Sequence, residues 1–273
     1  MTEVERNVRD ALAEDLGPGD WAALLTPEAQ TAKAKIICRG TAVRCGQAWV
    51  DRCFASLDPE VRLTWHGGEG DMLSPGATVC DIEGKTRALL SGERTSLNFL
   101  QTLSAVATVT RAHVHAVAGT RAAIVDTRKT LPGLRHAQKY AVRTGGGTNH
   151  RMGLYDGMLI KENHIMAAGG VTRALQAARK TAPPGVWIQI EVETPAQLEE
   201  ALHAGATMIL LDNMSIAEMR SAVERTAGRA QLEASGGVTL KNVRAIAETG
   251  VDRISIGSLT KDIQAIDLSM RFV

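Results

Sequence analysis

Two hydrophobic patterns divide the chain. In residues 4–16 apolar side chains recur at Val4, Val8, Leu12 and Leu16, with Ala11 beside them. That spacing predicts an amphipathic helix, stopped by Gly17-Pro18-Gly19. Short strand-like stretches follow at 34–38, 41–45, 61–65 and 78–83, punctuated by Asp58-Pro59, Gly67-Gly68 and Ser74-Pro75-Gly76, with a helix expected over 49–57. These elements describe a small α+β domain. Ser91 reads as the N-cap of a further helix, because Leu97, Leu100, Ser104 and Ala107 follow at helical spacing, and the pattern continues to about Ala118 before Gly119.

From Arg121 the pattern changes. Six apolar runs appear, at 122–125, 158–160, 186–190, 208–211, 231–232 with a short extension, and 253–256. Continuous apolar runs of this length suit strands buried on both faces of a parallel sheet. Helical patterns separate several of them, at 172–180, 195–204, 216–226 and 240–249. Alternating strands and helices imply an α/β fold.

Each run ends in polar residues. Asp126, Arg128 and Lys129 end the first, Lys161 the second, Glu191 the third and Asp212 the fourth. Glu233 and Ser235 end the fifth, and Gly257 the sixth. Charge is costly to bury, so a charge at strand after strand needs a shared reason. In an α/β barrel the carboxyl ends of all strands meet at one mouth, where the active site lies. Six strands fall short of the usual eight, so a partial or distorted barrel is expected.

Composition narrows the function. A net charge of +1 points to no strongly acidic or basic partner, and aromatic residues at 3% are too few to stack single-stranded bases, so a nucleic-acid role is excluded. No apolar run reaches the roughly 18 residues of a membrane span, and the first 20 residues lack a signal-peptide layout. Cys38, Cys45, Cys53 and Cys80 contain no C-x-x-C pair and read as reduced structural thiols, as in a cytoplasmic protein.

The chemistry-bearing residues are concentrated. Asp126-Thr127-Arg128-Lys129 begins a basic block that runs through Arg135 and Lys139 to a glycine turn, Gly145-Gly146-Gly147, and on to Asn149-His150-Arg151; Lys161-Glu162-Asn163-His164 closes the set. Arginine forks match carboxylate and phosphate oxygens in pairs, so Arg128, Lys129, Arg151 and Lys161 suit a small polyanion. Ser235-Gly236-Gly237 and Gly257-Ser258-Leu259-Thr260 each precede a predicted helix, an arrangement whose backbone amides bind phosphate. Glu191 and Asp212 end neighbouring strands and could hold Mg²⁺ with substrate oxygens, or favour positive charge developing on a ribose carbon. His113 and His115, two apart on a helix, face different ways and read as ordinary helix residues.

Together these segments resemble the quinolinate phosphoribosyltransferase family. The resemblance rests on Ser91-Gly92-Glu93-Arg94-Thr95, residues 97–101, 126–133, 145–151, 159–164, 191–193, 210–213, 232–237 and 256–261, and the closing Asp267-Leu268-Ser269-Met270-Arg271. It covers nearly the whole chain. It implies an N-terminal α/β sandwich (1–105, with 262–273 packing back on it) and a distorted, open α/β barrel (106–261). It also implies a homodimer or larger assembly, in which Arg94 reaches the partner's active site. By the same resemblance Thr127, Arg128, Lys129, His150, Arg151 and Lys161 match the quinolinate pocket. Glu191 and Asp212 match the phosphoribosyl and Mg²⁺ side, and Ser235, Gly236, Gly257 and Ser258 match the 5′-phosphate loops. Lys129, Lys161, Glu191 and Asp212 are the expected catalytic set, and Gly237 and Leu259 belong to the expected phosphate loops.

The implied reaction joins quinolinate to phosphoribosyl pyrophosphate and releases CO2, giving nicotinate mononucleotide for NAD biosynthesis. A phosphoribosyltransferase acting on nicotinate or another anion, and a non-catalytic metabolite-binding relative, are the alternatives. One departure is visible: Trp21-Ala22 stands where the family often has an aliphatic residue and threonine.

Overall fold

The computed structural model describes residues 1–273. In chain order the elements are α1 (Glu3–Leu16), β1 (Thr31–Cys38), β2 (Ala42–Val43), α2 (Gln47–Leu57), β3 (Arg62–Trp65), β4 (Met72–Leu73), β5 (Thr78–Lys85), α3 (Thr86–Ala116), β6 (Ala123–Val125), α4 (Arg135–Thr144), β7 (Gly157–Ile160), α5 (Glu162–Ala168), α6 (Val171–Thr181), β8 (Trp187–Val192), α7 (Pro195–His203), β9 (Met208–Asp212), α8 (Ile216–Thr226), β10 (Gln231–Ser235), α9 (Val243–Ala247), β11 (Arg253–Ser255), α10 (Ser258–Lys261) and β12 (Leu268–Phe272). They form two compact units. Unit 1 comprises Met1–Arg111, Leu131–Gly146 and Thr260–Val273, and unit 2 comprises Ala112–Thr130 and Gly147–Leu259. Residues 131–146 pack with the first unit.

Unit 1 is built on an antiparallel sheet of order β12-β1-β5-β3, with a small β2-β4 pair beside it. Alternation in β1 buries Ala34, Ile36 and Cys38, and β12 adds Leu268 and Met270 to the same core. Val50 and Phe54 of α2 and Leu89, Leu97 and Leu100 of α3 complete it. Gly92 is the notch where these helices meet, since a Cβ there would lie 2.7 Å from Phe54 Cε1 and 2.9 Å from Leu57 Cδ1. A second core joins α1, α2, α3 and α4 through Val8, Trp49, Leu103, Ala141 and Val142.

One expectation needs correction in unit 1. Ser91 is no N-cap: α3 begins at Thr86, and the Ser91 hydroxyl donates to Asp20 Oδ2 at 2.9 Å. Residues 135–144, within the basic block, form α4, with Ala137, Gln138, Lys139, Ala141 and Val142 buried. Gly145, the first residue of the glycine turn, is also a packing position, because its absent Cβ would lie 2.5 Å from Ala107 O. All four cysteines are free and buried.

Unit 2 is a six-stranded parallel sheet of order β6-β11-β10-β9-β8-β7. Each of the six expected runs became a strand, and β10 extends to Ser235. The sheet is open: β6 and β7 are its two edges, and beside β6 runs a short stretch in which Thr148 bridges Val125. Helices α6, α7 and α8 turn buried alanine and leucine positions inward, such as Ala174, Leu175, Leu198, Ala201 and Ala222. Thr194 with Pro195, and the Ser215–Glu218 capping box, start α7 and α8 just beyond their strands. The result is a rigid row of strand ends.

Candidate active site at the carboxyl ends of the parallel strands

The strand order sets the chemical order. From β6 to β7 the carboxyl ends present Thr127, Arg128 and Lys129, then Gly257 and Ser258, Ser235 and Gly236, Asp212, Glu191 and finally Lys161. A row that is cationic at both ends encloses two glycine loops and two carboxylates.

At the β6 end, Thr127 Oγ1 accepts the Lys129 amide at 3.0 Å, which closes a tight turn and exposes Arg128 and Lys129. The Lys129 side chain lies across Gly257, where a Cβ would stand 2.8 Å from Lys129 Cδ. On β10, Ser235 pairs in register with Asp212. Gly236 has φ 100° and faces Asn213, and its absent Cβ would lie 2.0 Å from Asn213 Oδ1. Asn213 itself has φ 53°; its amide donates to Ser235 O at 2.9 Å, and its Nδ2 donates to Asp212 Oδ2 at 2.7 Å. Asparagine tolerates this left-handed conformation better than most residues. The glycine loop after β10 precedes a helix, α9, which starts at Val243, three residues after the expected start at Leu240. Ser258 begins α10 directly, and Leu259 behind it is fully buried.

At the β7 end, Lys161 Nζ lies 3.1 Å from Glu191 Oε2 and 3.4 Å from Oε1. Burial pushes the Glu191 carboxyl above its ordinary range; the Lys161 bond and charge oppose the shift, and the Asp212 and Glu162 charges add to it. No group of three or more His, Cys, Asp and Glu side chains is arranged to hold a metal. Two neighbouring carboxylates do fit Mg²⁺, which takes one or two protein carboxylates and keeps the rest of its shell from substrate oxygens and water.

His150 and Arg151 lie buried near both edges. Asp126, fully buried after β6, accepts the His150 amide at 2.8 Å on Oδ1 and Asn149 Nδ2 on Oδ2. Arg151 Nη1 donates to Gly157 O at 3.0 Å. Asp156 closes the turn after Arg151 by accepting the Met152 and Gly153 amides. Burial and then the Arg128 charge lower the Arg151 pKa, while Asp156 and Glu191 support its charge. Two cations acting on one another in this way make a favourable place for an anion.

Asp126, Asp156 and Asn213 shape this site without having been singled out as site residues from the sequence. Asp126 had left a signal, since it ends the first apolar run. Arg94 belongs to unit 1 and stands exposed on α3. No helix is long and apolar enough to cross a membrane.

The chain is similar to known proteins along nearly its whole length. Residues 20–104 match the N-terminal domain of quinolinate phosphoribosyl transferase, and residues 106–271 match its C-terminal domain. The chain is 43% identical over 257 residues to a probable nicotinate-nucleotide pyrophosphorylase (carboxylating) of Bacillus subtilis, covering 94% of this chain and 89% of that protein. It is 41% identical over 273 residues to the nicotinate-nucleotide pyrophosphorylase (carboxylating) of Mycobacterium leprae, covering 96% and 95% respectively. The solved nicotinate-nucleotide pyrophosphorylase of Francisella tularensis superposes with a TM-score of 0.96 at 42% identity, covering 99% of this chain and 96% of that one. On these matches across both units, the chain belongs to the quinolinate phosphoribosyl transferase family.

Proposed function

We propose that the chain transfers the phosphoribosyl group of phosphoribosyl pyrophosphate to quinolinate with loss of CO2, giving nicotinate mononucleotide and pyrophosphate in de novo NAD biosynthesis. The observation that carries this reading is the order along one sheet: cations at both ends, with glycine loops and two carboxylates between them.

Quinolinate carries two carboxylates and needs several positive charges. Arg128, Lys129, Arg151 and Lys161, with Thr127, supply that pocket. The loops Ser235-Gly236-Gly237 and Gly257-Ser258-Leu259 receive the 5′-phosphate, where missing side chains let backbone amides approach it. The sugar then lies between them, beside Glu191 and Asp212. The pyridine nitrogen attacks the ribose carbon as pyrophosphate leaves. Glu191 and Asp212 favour the positive charge that develops on the ribose, and the fixed cations hold the ring in line. The adduct has a pyridinium nitrogen next to the 2-carboxylate, so the electron pair left on C2 by departing CO2 is stabilised by the substrate itself until C2 takes a proton from water. Glu191 and Asp212 would also hold Mg²⁺ with substrate oxygens, and that ion supplies charge neutralisation for pyrophosphate when bound.

The working assembly is a homodimer or larger, to which exposed Arg94 contributes a cation for the partner's pocket. Four unpaired buried thiols support a reducing, cytoplasmic setting.

The test combines the protein with quinolinate, phosphoribosyl pyrophosphate and Mg²⁺, with nicotinate replacing quinolinate in a parallel reaction. Nicotinate mononucleotide from quinolinate alone, lost when Mg²⁺ is chelated, is the expected result. Product from nicotinate alone would overturn the dianion assignment.

A further inference from the structure

Behind the row of strand ends lies a buried polar cluster to which the mechanism gives no task. Glu233, on β10, is fully buried. Its Oε2 accepts Gln189 Nε2 at 3.2 Å and lies 3.2 Å from Arg253 Nε, while its Oε1 lies 3.5 Å from His150 Nε2. Gln189, on β8, is 1% exposed. Its Oε1 is 3.0 Å from His150 Nε2. The other ring nitrogen, Nδ1, accepts the Arg151 amide at 2.8 Å.

The hydrogen-bond logic fixes the ring. A carboxylate only accepts, so the end of Gln189 facing Glu233 is its Nε2, and its Oε1 faces the histidine. His150 Nε2 must then carry the proton. Independently, Nδ1 must be bare, because a backbone N–H points at it. Both constraints give the same neutral tautomer, and protonating Nδ1 would break the bond to Arg151. Trp187 clamps the ring edge-on, with centroids 5.1 Å apart at 73°. Trp187 can lie there because its register partner Gly157 has no side chain, and a Cβ at Gly157 would fall 2.4 Å from Trp187 Cζ2.

We infer that Glu233 and Gln189 are positioning residues that lock His150 as the neutral Nε2–H tautomer, and that His150 serves quinolinate binding through Arg151, whose amide it holds, rather than as a cationic ligand. This rests on the reading of Arg151 as a quinolinate contact. It changes the role expected for His150 from the family resemblance, since both ring nitrogens are engaged by the protein.

The test is a ¹⁵N-histidine spectrum of the free enzyme, with the His150 signals identified by their loss in His150→Gln. At about pH 6, below the ordinary histidine pKa of about 6.5, His150 should show one protonated and one bare ring nitrogen. Gln189→Met keeps the volume and removes both bonds. It leaves the ring N–H without its acceptor, so the ring should turn, let go of the Arg151 amide and only then admit a second tautomer or the imidazolium, raising the KM for quinolinate about 10-fold, the scale on which outer partners tune a ligand, with the KM for phosphoribosyl pyrophosphate unchanged. Glu233→Gln should do the same; if it fails to fold because Arg253 is stranded, Gln189→Met carries the comparison alone. An imidazolium at His150 in the wild-type enzyme, free or with quinolinate, would overturn the inference, as would a Gln189→Met enzyme with an unchanged quinolinate KM. The spectrum is read without turnover, so its outcome is separate from whether the chain performs the proposed reaction.

Discussion

Lys161 and Glu191 meet at 3.1 Å from the ends of neighbouring strands β7 and β8, and this contact opposes what burial does to the carboxylate. Burial and the nearby Asp212 and Glu162 charges favour the protonated acid, whereas Lys161 favours the anion. The pair therefore offsets part of what the surroundings do to this carboxyl, which still titrates above its ordinary range.

A stability prediction follows from the sign of that shift. Glu191 has a folded pKa above its unfolded value, so its favourable contribution is present at low pH and is lost as pH rises through the folded value. At neutral pH the ionised side chain costs the fold stability. Glu191→Gln should raise Tm at neutral pH, with the gain shrinking in acid, while kcat falls steeply. Thermal denaturation at two pH values checks this, and a lower Tm at neutral pH would contradict it.

Lys161→Met removes the hydrogen bond and the charge that oppose burial. The acidic limb of the kcat/KM profile should move to higher pH, because Glu191 must lose its proton against a greater cost. A profile that keeps its wild-type acidic limb would separate Lys161 from Glu191.

Arg151→Ala should lower kcat/KM by about 30- to 1,000-fold, or roughly 2–4 kcal/mol, as for loss of one charged contact in a closed site. Arg151→Lys should recover little of this, because an ammonium cannot reproduce the planar fork. Steady-state kinetics with quinolinate varied would show it. Full activity in Arg151→Lys would mean that charge alone suffices.

Gly236→Ala sets a Cβ 2.0 Å from Asn213 Oδ1 at a φ of 100°. Positive φ costs a side-chain-bearing residue about 1–2 kcal/mol before the clash is counted. The KM for phosphoribosyl pyrophosphate should rise about 10-fold or more, with the quinolinate KM less affected. Equal increases in both would point to a general collapse of the strand ends.

In unit 1, Gly92→Ala presses a methyl group onto the fully buried Phe54 ring. Overpacking of this kind costs about 1–3 kcal/mol, which outweighs the helix-propensity gain of up to about 1 kcal/mol. Urea denaturation should show a lower midpoint with an unchanged slope; an unchanged midpoint would mean that α2 and α3 part easily.

The parallel strands were legible because buried apolar runs have few other uses and each stopped at a charge or glycine. Helix α4 was hidden. Its buried side consists of Ala137, Gln138, Lys139, Ala141 and Val142, in which a fully buried lysine and a glutamine sit among small apolar residues, so no apolar stripe stands out beside Arg135, His136 and Arg143. Ser91 misled because a good capping residue also serves inside a helix when a distant carboxylate, here Asp20, accepts its hydroxyl proton. For the site, the residues that the sequence singled out at the ends of the apolar runs stand together at the carboxyl ends of one sheet. The state of His150 was invisible, since it depends on Gln189, 39 positions away, and Glu233, 44 beyond that. Such bonds leave no periodic trace.

Strand β12 completes the unit 1 sheet against β1, and there Arg39 reaches Ser269 across 230 positions of sequence. On a translating ribosome, β1 emerges long before this partner exists. At about 5–20 residues per second the interval is on the order of 10–50 s. During that time the nascent chain carries an unpaired strand edge, a template for association with other chains. Synonymous codons that slow translation between the two strands should therefore reduce the yield of native protein without altering the stability of what is made.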